Sequence, residues 1–126
     1  MTEFSGLSTL GQIHMNVQDV ERAKAFYREV LRVPFLFEFP GLAFFDCDGV
    51  RLMLSKAEAP EGNHPGSILY FKVPDIEAAH AGLTERGVAF VDTPHRIADM
   101  GSYELWMAFF RDSEANLLAL MTEKRT

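Results

Sequence analysis

Two side chains of this 126-residue chain have the chemistry for proton transfer. His14 carries an imidazole that can act as a general acid or base, with the phenol of Tyr70 as a proton donor. A lone strand histidine among apolar residues is also a common hydrogen-bonded packing residue, and Tyr70 can equally be packing. The other three histidines differ in setting. His95 follows Thr93-Pro94 on a long stretch read as a loop, where it can close over a cavity or simply lie exposed. His64 sits in a Pro/Gly segment and reads as solvated, and His80 reads as surface or helix packing. Cys47 stands between Asp46 and Asp48 with no cation beside it, so a reactive thiolate is not expected. As a lone cysteine it forms no internal disulfide and no zinc cluster.

The elements that carry these groups come from an internal repeat. Residues 12–20, QIHMNVQDV, match residues 68–76, ILYFKVPDI, at a constant offset of 56. Each copy opens as a strand and then offers an aspartate, Asp19 or Asp75, as the N-cap of a helix. The first helix places Val20, Ala23, Tyr27, Val30 and Leu31 on one face. The second places Ile76, Ala79 and Leu83 and ends near Gly87. Strand-like runs follow: 33–39, 42–47 and 50–54 in the first copy, 88–91, 103–111 and 116–121 in the second. Both third strands carry a Phe-Phe pair, Phe44-Phe45 and Phe109-Phe110, and an acidic turn follows each. The order is βαβββ, a linker at 57–66, and βαβββ. It implies an α+β fold of curved mixed sheets, with helices on one face. One domain spans 8–123, with repeats at about 10–56 and 66–122.

Composition agrees with a single domain. Apolar residues make up 48% of the chain, enough for a core. A net charge of −6 leaves no basic surface to follow nucleic acid or an anionic membrane. The N-terminus lacks the pattern of a secretory signal. The apolar runs fall far below the roughly 20 residues a membrane helix needs. A cytoplasmic location is the expectation.

The opening IHMNVQDVERAKAFYREVL and the closing FFRDSEANLLALM resemble the first strand-helix and the last hairpin of the vicinal-oxygen-chelate superfamily, the glyoxalase, bleomycin-resistance and extradiol-dioxygenase relatives. The resemblance covers nearly the whole chain. It implies a small-molecule cavity, a homodimer and, in metal-using members, four ligand positions. Those positions fall on His14, Met53, Tyr70 and Ala119. His14 alone retains a good ligand. Tyr70 would have to lose a proton with a reference pKa of about 10. Met53 is a soft thioether, and Ala119 offers nothing. No cofactor is therefore expected.

Strand parity sets the rest of the site. If His14 faces the cavity, so do Gln12 and Asn16, with Ile68, Tyr70 and Lys72 in the second copy. The third and last strands add Leu42, Phe44, Arg51, Met53, Leu105, Met107, Phe109, Leu117, Ala119 and Met121. The set is apolar and aromatic with a few polar groups, the usual make-up of a ligand site. Three functions follow. One is a metal-free binding protein for a drug or metabolite. Another is an enzyme, either using His14 as acid and base or acting as a metal-dependent lyase, isomerase or dioxygenase. The last is an interaction module whose cavity is filled by its own side chains.

Overall fold

A computed structural model describes Phe4, residues 6–56 and residues 66–125. Residues 57–65 of the expected linker, with His64, lie outside these residues. Among the described residues no helix is long and apolar enough to cross a membrane.

Both aspartate caps form. After β1 (Gln12–Asn16), the Asp19 carboxylate accepts from the Arg22 N–H at 3.0 Å and starts α1 (Val20–Ala25). After β5 (Leu69–Lys72), Asp75 accepts from the Ala78 N–H at 3.1 Å and starts α2 (Ile76–Glu85). The helices end differently. α1 widens into a π-helical turn at Phe26–Val30, and Arg32 then takes a left-handed conformation at φ 60°. In the second unit Gly87 takes that role at φ 90°. An L-residue there costs roughly 1–2 kcal/mol that glycine avoids. α2 carries a weak point of its own: Gly82 lies in its interior, worth about 1 kcal/mol less than alanine there. Apart from its chain neighbours and the helix's own backbone, no atom lies within 4 Å of the position its Cβ would take.

The remaining strands are β2 (Phe35–Phe39), β3 (Leu42–Cys47), β4 (Val50–Ser55), β6 (His95–Asp99), β7 (Tyr103–Arg111) and β8 (Leu117–Arg125). They form two four-stranded sheets, ordered β1-β4-β3-β2 and β5-β8-β7-β6. The β1–β4 and β5–β8 pairs are parallel and the others antiparallel. Neither sheet closes. Their helix-facing sides share one core, including Met15, Phe45 and Leu54 from the first unit and Ala108, Phe110 and Leu120 from the second.

One expected strand is absent and another replaces it. Val88–Val91 forms no ladder; Phe90 makes a single bridge to Phe110. The second-copy edge strand is β6, so His95 lies on a strand rather than a loop. Two local bonds explain the displacement. The Val91 N–H donates to the Phe109 carbonyl at 2.8 Å, and the Asp92 carboxylate takes the Phe109 N–H at 2.8 Å. Side chain thus replaces backbone in the ladder, and Pro94, lacking an N–H, delays regular pairing to His95.

The β7–β8 turn fastens the second unit to the first. Tyr27, fully buried, donates its hydroxyl to Asp112 Oδ2 at 2.6 Å. Burial, then the Asp112 charge, pushes the Tyr27 phenol well above its usual range. Asp112 also accepts from the backbone of Glu114 and Asn116. Glu114 accepts from the backbone N–H groups of Gln18 and Asp19 and from the Arg22 guanidinium. Asn116 Nδ2 donates to the Asn16 carbonyl at 3.1 Å.

Candidate functional site

Each sheet turns one face away from the helices, and the sequence-chosen residues lie there. Across the first sheet the register aligns His14, Met53, Phe44 and Phe37 in one row. Across the second it aligns Tyr70, Ala119 and Phe109 in one row, and Lys72, Met121, Met107 and His95 in the next. The four positions picked out by family resemblance thus form two cross-strand pairs, His14 with Met53 and Tyr70 with Ala119.

The first-sheet face is built as a polar strip beside an aromatic platform. His14 Nε2 lies 2.7 Å from Ser55 Oγ, a buried hydroxyl on β4. Next to it, Arg51 donates from Nε to Gln12 Oε1 at 3.0 Å, and its guanidinium lies 5.5 Å from the centre of the Phe44 ring. Phe37 stacks on Phe44 with centroids 4.8 Å apart, and Phe39 meets both edge-on. Phe37 and Phe39 stay 40% and 59% exposed. Apolar rings left in water beside a guanidinium are a receptive surface.

Sequence reasoning missed Phe37, Phe39 and Ser55. The phenylalanines escaped because a β-bulge interrupts β2 between Phe35 and Phe37. Phe35 pairs with Phe45 on the helix side, while Phe37 pairs with Phe44 on the other. Simple alternation would put both on one face. Ser55 was within reach, because the parity that chose Arg51 and Met53 selects it too.

The second-sheet face is plainer. Tyr70 packs edge-on against Phe109 at 5.9 Å and is 44% exposed, and Lys72 pairs with Glu123 at 3.5 Å. His95 contacts the Thr93 carbonyl through Nδ1 at 2.8 Å. Ala119 and Met121 lie between these strands, with Ala119 fully buried. Asn16 is half-buried on the first face. Every side-chain contact just named lies within one sheet.

The four family positions do not fit a divalent cation. His14 shares its Nε2 with Ser55, its cross-strand neighbour is a thioether, and the second pair is a phenol beside a methyl group. Among the described residues no three His, Cys, Asp or Glu side chains cluster to hold a metal. We therefore derive no chemistry through a metal at these positions.

A cavity of about 1090 Å³ lies elsewhere. It runs beside edge strand β5, between α2 and the β3–β4 turn, and of the expected site residues Ile68, Tyr70 and Lys72 border it.

A family model described as the Glyoxalase/Bleomycin resistance protein/Dioxygenase superfamily matches residues 9–120. The chain belongs to this superfamily. Among superfamily structures, a member from Sphaerobacter thermophilus superposes with a TM-score of 0.78 at 23% identity, covering 93% of this chain and 98% of that one. TnmS3, an antibiotic binding protein from Streptomyces sp. CB03234, superposes with a TM-score of 0.76 at 27% identity, covering 96% and 100%. The uncharacterized protein YraH of Bacillus subtilis is 28% identical over 123 residues, covering 86% of this chain and 94% of its own. Glyoxalase, resistance and dioxygenase functions share this superfamily, so membership fixes the fold and leaves the reaction to the site.

Proposed function

We propose that this protein is a metal-free binder of a flat, apolar small molecule carrying oxygen acceptors, held on the first-sheet face. The observation that carries the reading is the platform of exposed Phe37 and Phe39 packed on buried Phe44, beside the Arg51 guanidinium. A flat ring system stacks on the phenyl groups. Its carbonyl, phenolate or carboxylate oxygen takes the N–H groups that Arg51 does not give to Gln12. The antibiotic-binding description of TnmS3 supports a binding role. On this reading Tyr70, Lys72, Met107, Phe109, Met121 and His95 of a partner's second sheet cover the ligand in a homodimer.

The test is titration calorimetry with a hydroxynaphthoate probe. Binding is expected with the wild type. Arg51→Ala should weaken it about tenfold, the worth of one charge-assisted hydrogen bond, and Phe37→Ala by a few-fold. Undiminished binding in both variants would overturn the placement. Elemental analysis and titration with zinc, nickel, manganese and iron(II) should find no stoichiometric, chelator-sensitive metal. A tightly held metal would refute the metal-free part and revive lyase and dioxygenase chemistry.

The His14–Ser55 bond favours one second reading, a metal-free enzyme. Ser55 Oγ can donate to an unprotonated Nε2, which fixes the ring and leaves Nδ1 to exchange a proton with substrate. In that case His14→Ala keeps ligand binding and loses turnover. Loss of binding and turnover together would assign His14 to recognition.

A further inference from the structure

We propose that the cavity beside β5 is a second ligand site, separate from the first-sheet face, for an apolar molecule carrying one anionic head group such as a carboxylate. Its volume of about 1090 Å³ accommodates a small organic ligand. Its walls are mainly apolar, with Leu31, Val33, Leu69, Phe71 and Leu83 among them. Two guanidiniums border it, Arg32 and Arg86, and neither has an ion-pair partner among the described residues. The other charged groups at the cavity are Lys72, paired with Glu123; Asp46, which accepts from the Gly49 N–H; and Asp48. Three cations, Arg32, Lys72 and Arg86, thus border the cavity against two carboxylates, Asp46 and Asp48.

The local backbone gives a second, independent reason. Two departures from good helix chemistry in this fold border the cavity. Arg32 holds a left-handed conformation where the second unit uses glycine, and its side chain is thereby kept at the wall. Gly82 occupies a helix interior where a larger residue would favour the helix and fill the space. Sequences keep such locally unfavourable choices chiefly where a site needs them. None of His14, Arg51, Phe37, Phe39 and Phe44 borders this cavity; it shares with the aromatic-face reading only the second-sheet residues Tyr70 and Lys72.

The chain's single cysteine is a reporter, because Cys47 lines the cavity and is partly exposed. Its alkylation by N-ethylmaleimide, followed by mass spectrometry at mildly alkaline pH, should slow about tenfold when decanoate is present at ten times its Kd. Decanol, with the same chain and no charge, should protect far less. Gly82→Leu should raise the melting temperature yet abolish protection. Arg32→Gly should also melt higher while shifting the protection curve roughly tenfold to higher decanoate. Equal protection by decanol would overturn the anionic head. Unchanged protection in Gly82→Leu, or no protection in the wild type, would overturn the site.

Discussion

Replacing Asp112 with alanine is expected to lower unfolding free energy by roughly 3–4 kcal/mol. The melting temperature should fall on the order of 10 °C. The side chain is buried and accepts four hydrogen bonds: from the Tyr27 hydroxyl, from the backbone of Glu114 and Asn116, and from Asn116 Nδ2. Alanine leaves those donors without a partner where water does not easily reach, and a buried donor left unmade costs more than a typical bond contributes. Tyr27→Phe removes one of the four bonds and keeps the ring in the core. It should cost only about 1 kcal/mol. Urea unfolding of both variants checks this. A loss below 1 kcal/mol for Asp112→Ala would mean that the turn does not fasten the two units.

Glu114→Gln should lower stability by about 1–2 kcal/mol at neutral pH and by almost nothing near pH 2. The Arg22 guanidinium, aided by the Asp19 N–H and the Ser113 hydroxyl, holds the Glu114 carboxyl down to about 2 from 4.5. A folded-state value below the unfolded one adds stability that is complete above about 4.5. It is lost as the carboxyl takes up a proton on the way down to 2. Unscreened, a shift of that size would be worth about 3 kcal/mol. The smaller expectation reflects the pair's geometry: the Glu114 side chain is 1% exposed but Arg22 is 57% exposed, so solvent screens it from one side. Urea unfolding of both proteins from pH 2 to 7 should show curves that converge at the acid end. A constant gap would refute the ion-pair origin.

Much of the fold was legible because its signals are periodic and local. The 56-residue offset held for the opening strands, where His14 and Tyr70 take matching places beside the last strand of each unit. Both aspartate caps formed, and the Phe-Phe pairs split as parity requires, with Phe45 and Phe110 in the core and Phe44 and Phe109 on the opposite faces. What failed was non-local. The second copy's edge strand moved because Asp92 supplies a side-chain acceptor to the Phe109 backbone, a substitution that no spacing reveals. Phe37 reached the site face through an irregularity in pairing that exists only when β3 lies alongside. Arg22 and Glu114 look like ordinary surface charges in the sequence, because 92 positions separate them.

That separation also bears on how the chain finds its structure. The bonds between the units join positions 85 to 100 residues apart, close to the whole length of the chain. The groups at the entrance to α1 therefore meet their partners only after the last hairpin exists. During synthesis the N-terminal unit leaves the ribosome with Tyr27 lacking its acceptor, and its locking contact is among the last to close. Loops of this length make the search slow relative to helical proteins of equal size, and the duplicated architecture does not shorten it.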